Sequence, residues 1–262
     1  MRGFHIYWLT MVLPVLAGSC IRNPDAVIEG ELKKWHRIAL TFTGPECSES
    51  DSVNPFLDYR LDVLFSKGQS SLLVPGFFAA DGRAAETGAS KGNRWKVYFC
   101  PEDTGTWTYR VSFRQGKNIA VTDAPLTGTP VSFDGASGSF VVGQTDKAGN
   151  DFRAKGRLKV TGERYLQFSG TGEYFLKGGA DSPENFLAYK EFDGTYFGGD
   201  TVTRPGEAKV SINLHGYQPH AGDLHEGDPV WQGGKGKNII GALNYLASKG
   251  FNSVYMLTMN VG

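Results

Sequence analysis

What this sequence lacks is an excess of charge of either sign. Lys and Arg number 27, Asp and Glu number 27, and the formal net charge is zero. No basic stripe or block of like charge runs along the chain. That argues against nucleic acid as a partner and against electrostatic docking on anionic lipid. Disorder is excluded too: aromatics make up 13% of the 262 residues, and 35 glycines accompany them. This combination suits a turn-rich β protein with a packed core.

Cysteine is scarce at three residues, and the first of them closes the N-terminal segment. Residues 1–19 carry one early basic residue, Arg2, then an apolar stretch from Ile6 to Ala17 interrupted by Thr10 and Pro14. The stretch is too short for a stop-transfer helix and leads into Leu16-Ala17-Gly18-Ser19-Cys20. This pattern predicts a signal peptide and export. Ala17-Gly18-Ser19 suits ordinary signal peptidase. Cys20 directly after it resembles a bacterial lipoprotein signal, with the large apolar residue, Leu16, one place early. A lipidated Cys20 carries several acyl chains and anchors stably, so the expected location is a cell-envelope lipoprotein (outer membrane or periplasm) or a secreted protein. Cys47 and Cys100 then remain as a pair in an oxidising compartment, and a disulfide and two separate buried thiols are both open readings.

After a polar tether at residues 20–27, period-two alternation begins. Ile38, Leu40 and Phe42 alternate with Arg37 and Thr41, and Tyr59, Leu61, Val63 and Phe65 with Asp58, Arg60 and Asp62. Trp95, Val97 and Phe99 form a third run, and Trp107, Tyr109, Val111 and Phe113 a fourth. Each run makes one wet and one dry face. With further strands at 71–78 and near 139–142, the dry faces need a second sheet. Turns at Gly44-Pro45, Asn54-Pro55, Ala80-Asp81-Gly82, Lys91-Gly92-Asn93 and Asp103-Thr104-Gly105 separate the runs. The expectation is an immunoglobulin- or fibronectin-like β-sandwich over residues 28–143. Asp58, Arg60 and Asp62 share a wet face, where charges are ordinarily solvated rather than functional. Trp95 and Trp107 could stack on sugar, but their alternation assigns them to the core. No nucleophile–base pair or metal-ligand spacing occurs here.

Within this module Asn54-Pro55-Phe56-Leu57-Asp58-Tyr59-Arg60, Val74-Pro75-Gly76-Phe77-Phe78-Ala79-Ala80-Asp81-Gly82 and Cys100-Pro101-Glu102-Asp103-Thr104-Gly105-Thr106-Trp107-Thr108-Tyr109 follow in order. On these motifs residues 31–116 resemble the domain of unknown function numbered 5060. That family is a β-sandwich found ahead of glycoside-hydrolase-like barrels in secreted bacterial proteins.

Residues 144–156 are polar and without periodicity, which predicts a linker. A hairpin is expected from 157–160 and 165–168 around Gly162-Glu163, then a strand at 174–177 after Gly170-Thr171-Gly172. Ser182-Pro183-Glu184-Asn185 reads as a helix start. A long loop follows over 192–236, a length that tends to be functional. Ile239, Leu243, Leu246 and Ala247 form a helical stripe closed by Lys249-Gly250, and 251–259 is an apolar run of strand length. Strand, helix, strand predicts a βα unit with parallel strands buried on both sides. One such unit cannot cover its own faces, so residues 157–262 are expected to be the truncated start of a (β/α)₈ barrel.

Phe175-Leu176-Lys177-Gly178-Gly179-Ala180-Asp181-Ser182-Pro183-Glu184-Asn185-Phe186 and Gly241-Ala242-Leu243-Asn244-Tyr245-Leu246-Ala247-Ser248-Lys249-Gly250-Phe251-Asn252 are similar to the opening of glycoside-hydrolase barrels, the apiosidase-like group among them. The resemblance implies a site at the strand C-termini and a carboxylate pair from strands four and seven. This sequence stops at about strand two, so no catalytic residue carries over and the chain itself is expected to be inactive. Asp181, Glu184 and Asn185 after the first strand, and Asn260 after the second, are candidate substrate contacts. For Glu184 and Asn260 the competing readings are helix-end electrostatics and a turn. His215, His220 and His225 share a loop with Asp223, Glu226 and Asp228, but their spacing fits no standard ligand set, so no metal is expected. Substrate binding or lid packing by His220 and Trp231 is preferred. No cofactor is implied. The expected partner is a polysaccharide or oligosaccharide, met either by a glycoside-hydrolase-like enzyme or by a non-catalytic glycan-binding or surface-adhesion module.

Overall fold

The computed structural model describes residues 26–123, 127–180, 186–195 and 214–256. Its first part is two antiparallel sheets. The strands in chain order are β1 (Val27–Glu29), β2 (Ile38–Ser48), β3 (Tyr59–Lys67), β4 (Ser70–Pro75) and β5 (Phe77–Phe78). A short helix α1 (Ala84–Thr87) precedes β6 (Lys91–Phe99), β7 (Gly105–Gln115), β8 (Thr129–Pro130) and β9 (Ser137–Val142). One sheet runs β1-β2-β6-β5, and the other β4-β3-β7-β8 with β9 also on β7.

The alternation read from sequence is the burial pattern. Leu61, Val63 and Phe65 on β3 are buried, as are Trp107, Tyr109, Val111 and Phe113 on β7. Ile38, Leu40 and Phe42 on β2 and Trp95, Val97 and Phe99 on β6 face them, and all belong to one core cluster. Side chains of a strand alternate between faces, so two sheets with facing dry sides share one interior. Ring contacts cross between the sheets: Phe65 of β3 stacks on Phe99 of β6 at 4.0 Å. Phe133 lies outside the strands and stacks on Phe42 at 4.6 Å and on Phe113 at 4.4 Å, so it fills the space between the sheets.

The register excludes the disulfide, and of the alternative, two separate buried thiols, only Cys47 fits. Cys47 pairs with Gly92 near the start of β6, whereas Cys100 follows the last residue of that strand. From residue 92 to residue 100 an extended strand travels roughly 26 Å, far beyond the ~7 Å Cα separation a disulfide tolerates. Both thiols are free, Cys47 buried and Cys100 exposed, and burial pushes the Cys47 thiol up from its ordinary value. The charged face Asp58–Asp62 is also structural. Asp58 accepts the backbone N–H groups of Asn54 and Asn118, and Arg60 pairs with Asp62 at 2.6 Å.

Past the sheets, β10 (Leu158–Lys159), β11 (Leu166–Phe168) and β12 (Tyr174–Phe175) form an antiparallel meander. The expected hairpin is present, but the strand expected at 174–177 is not the parallel one. It belongs to the meander, because Tyr174 and Phe175 pair antiparallel with Gln167 and Leu166. The parallel pair is β13 (Gly179–Ala180) with β14 (Ser253–Val254), joined through the helix α2 (Lys237–Ser248). Gly179 permits this pairing, since a Cβ there would lie 1.6 Å from the Ser253 carbonyl oxygen. Asn252 locks the approach: its side chain accepts from Gly178 N–H at 2.9 Å and donates to the Leu176 carbonyl at 2.9 Å. Trp35 of the first module packs at the turn between β11 and β12, where a Cβ on Gly170 would meet its ring at 2.2 Å.

Candidate functional site

Sequence reasoning placed Asp181, Glu184, Asn185 and His220 between β13 and α2, and Asn260 after the second strand. In a βα unit this connection lies at the C-terminal end of the strand and the N-terminal end of the helix. Of the expected contacts, Asp181, Glu184, Asn185 and Asn260 lie outside the described residues, as does Cys20. His220 is described. It ends a short 3₁₀ turn (Gln218–His220), its Nδ1 is 3.0 Å from the Asp223 carboxylate, and its ring lies 4.8 Å from that of Tyr245 on α2. A carboxylate only accepts, so Nδ1 carries a proton in this bond.

Residues 214–236 are fastened to α2. Asn238 donates to the Gly216 carbonyl at 2.8 Å and to Gln218 Oε1 at 3.1 Å. Asn244 donates to the Asp223 carbonyl at 2.9 Å and to Asp228 at 2.7 Å. Gly241 in the middle of α2 costs helix propensity, and close packing explains it, because a Cβ there would lie 2.0 Å from the His220 carbonyl oxygen. The Asp228 carboxyl is held below its ordinary value by the His225 backbone N–H and by Asn244. The loop histidines do not converge: His220 pairs with Asp223, His225 lies 3.8 Å from Asp228, and His215 lies against Tyr217.

Beneath the loop is a second core of Phe186, Tyr189 and Ile239, with Phe192, Tyr217 and Trp231 packed on it. Trp231 is half-buried and stacks on Phe192 at 5.3 Å. Sequence reasoning missed Glu191. It accepts the Tyr189 hydroxyl at 2.5 Å and the Gly236 N–H at 2.8 Å, so a carboxylate sits at the start of α2, where the helix dipole favours it. Tyr189 and Gly236 hold that carboxyl below its ordinary value, while burial raises the Tyr189 hydroxyl. The loop also touches the first module, where Glu86 of α1 accepts the Gln232 N–H at 2.9 Å.

A cavity of about 760 Å³ lies on the other half of α2, lined by Leu243, Leu246 and Ala247 together with Phe168, Phe175 and Phe251. Of the expected stripe, Leu246 and Ala247 face the cavity and Leu243 both lines it and packs on the second core, while burial concentrates at Asn238, Ile239, Gly241 and Ala242. On the first module the outer face of the β1-β2-β6-β5 sheet carries an exposed aromatic pair. Phe77 and Tyr98 are 39% and 42% exposed, their rings 5.2 Å apart, with the Arg37 guanidinium 4.8 Å from the Tyr98 ring. Trp95 and Trp107 are buried in the core, as the alternation predicts.

Known proteins add the following. A family model described as a domain of unknown function (DUF5060) matches residues 31–114, the segment whose motifs carried the resemblance. No curated protein matches the chain. Among solved structures, the chain is similar to a presumed glycoside hydrolase from Bacteroides vulgatus ATCC 8482, with 21% identity and a TM-score of 0.40. The match covers 59% of this chain and 23% of that one, so the chain spans under a quarter of that protein's length.

Proposed function

We propose that this chain is the N-terminal portion of an exported glycoside-hydrolase-like enzyme acting on polysaccharide, anchored through lipid on Cys20. In this reading residues 28–143 are an immunoglobulin- or fibronectin-like sandwich that packs on or positions the catalytic part. Residues 157–262 begin a (β/α)₈ barrel of the apiosidase-like kind, with residues 144–156 as the linker. The observation that carries the reading is the parallel β13–β14 pair joined through α2, which follows the two antiparallel sheets and the β10–β12 meander, with residues 31–114 of those sheets matching the 5060 family model. Parallel strands are ordinarily covered on both faces, and the apolar cavity along α2 supports a larger α/β assembly. Asp181, Glu184, Asn185 and His220, with Asn260 after β14, orient sugar hydroxyls at the rim in this proposal. The acid and its partner carboxylate come from later strands, so the chain alone does not hydrolyse glycans. Incubating the purified chain with a polysaccharide panel tests this: no reducing ends above a mock preparation are expected, and hydrolysis by the chain overturns it.

A second reading, a non-catalytic glycan-binding module, is favoured by the Phe77–Tyr98 pair. Aromatic faces stack on the apolar faces of sugar rings, and an adjacent guanidinium supplies donors. Affinity electrophoresis of the chain in polysaccharide gels separates the two. Retardation that disappears in Phe77→Ala/Tyr98→Ala supports binding, and equal mobility in every gel rules it out.

A further inference from the structure

The turn between β1 and β2 brings Glu31 and His36 to Asp146, which lies just beyond β9. The backbone fixes this arrangement. Leu32 accepts the Gly143 N–H at 2.7 Å, Lys34 N–H donates back to Gly143 at 3.0 Å, and Trp35 N–H donates to Pro101 at 2.7 Å. His36 is only 2% exposed. Its Nδ1 is 2.9 Å from the Lys34 carbonyl, an acceptor only, so Nδ1 carries a proton. The other ring nitrogen, Nε2, is buried and has no hydrogen-bond partner among the described residues. It lies 3.9 Å from Glu31 Oε2 and 3.8 Å from Asp146 Oδ1.

A neutral imidazole lone pair aimed at two carboxylates is unfavourable unless a cation stands between them, and a buried polar atom without a partner calls for an explanation. The cluster already gathers positive charge. Lys33 Nζ is 2.8 Å from Glu31 and 2.7 Å from Asp146, and Lys147 Nζ lies 3.5 Å and 3.4 Å from the same pair. We propose that Glu31, His36 and Asp146 form a binding site for a divalent transition metal of the zinc type, with the Lys33 ammonium as the cation it displaces. The imidazole is a borderline donor and the carboxylates are hard ones, a mixed set of the kind zinc takes as ligands. The three donor atoms lie within 4.8 Å of one another. Tetrahedral zinc with bonds of about 2.0–2.1 Å sets its ligand atoms roughly 3.4 Å apart, so a small closure seats the ion. The Nδ1–H bond to a backbone carbonyl is the support that metal-bound histidines ordinarily have. The ion would tie the start of the two-sheet module to the chain leaving it.

The test is isothermal titration of zinc chloride into the chelator-stripped full chain. One equivalent is expected to bind. Asp146→Asn and Glu31→Gln replace side chains that are 54% and 44% exposed, so the fold is retained, and circular dichroism checks it. Each is expected to weaken binding by at least about tenfold, and Lys33→Ala to tighten it about threefold or more by removing the competing ammonium. Zinc should raise the melting temperature of the parent chain and leave that of Asp146→Asn unchanged. Absent binding overturns the proposal. So does binding that survives Asp146→Asn, which would belong to surface histidines such as His225. If His36 is instead an imidazolium paired with both carboxylates, Lys33→Ala gains no zinc affinity, and that result too overturns it.

Discussion

Replacing Phe133 with alanine tests whether a turn residue sits at the centre of the first core. Phe133 is 0% exposed and is held between Phe42 and Phe113, with interplanar angles of 12° and 9°. Truncating a buried phenylalanine costs about 3–5 kcal/mol. The two stacked faces favour the upper half of that range, since each aromatic pair adds roughly 0.5–1.5 kcal/mol beyond area burial. Domains of this size have about 5–15 kcal/mol in hand, so Phe133→Ala should use a large part of it. Phe133→Leu keeps most of the volume and loses the ring faces, so it should cost about 1.5 kcal/mol or less. Urea denaturation followed by tryptophan fluorescence measures both, because Trp95 lies 4.7 Å from Phe113 and reports on the same core. Phe56→Ala, at a half-exposed ring, serves as the comparison. If Phe133→Ala costs under about 1 kcal/mol, or no more than Phe56→Ala, the account of the core is wrong.

Other perturbations follow from the same geometry. Trypsin digestion after alkylation under denaturing, non-reducing conditions should show Cys47 and Cys100 both alkylated; a linked peptide would contradict the strand register. Gly170→Ala forces a Cβ into the Trp35 ring and should lower stability by about 1–3 kcal/mol in thermal melts; an unchanged melting temperature would show that the turn between β11 and β12 does not pack this way. Glu191→Ala removes the carboxylate shared by Tyr189 and Gly236 and should cost up to about 2 kcal/mol, read as faster amide exchange at the start of α2. Exchange like that of the parent chain would refute this. Cys20→Ala should abolish incorporation of a labelled fatty acid in a bacterial host, and continued labelling would remove Cys20 as the anchor. Asp146 is held down at about 2, first by its bond to Lys33. Its contribution is therefore present above the ordinary carboxylate value and is lost as pH falls toward 2. Acid unfolding of Asp146→Asn should be less steep than that of the parent chain.

The two-sheet module was largely legible because each long strand has one wet and one dry face, a pattern the residues of β3 and β7 write plainly. Phe133 escaped notice because it comes from a turn, where burial leaves no periodicity. The parallel pair was harder still. A strand of two residues, Gly179 and Ala180, has no alternation to read, while the longer apolar run from Tyr174 suggested itself and proved to be part of a meander. The site was legible only in pieces. His220 and Asp223 stand three apart and could be paired by eye, but the pressing of their loop onto Gly241 is tertiary. Glu31, His36 and Asp146 meet because Lys33 bridges to Gly143 across the module, and no local spacing announces that.

The central proposal is that this β module precedes a glycan-cleaving barrel whose first βα unit is the β13–α2–β14 segment, and the genomic sequence 3′ of codon 262 tests it most directly. The account predicts an open frame that continues through about six further βα units, with two carboxylates at strand C-termini. A stop codon directly after Gly262 would contradict it.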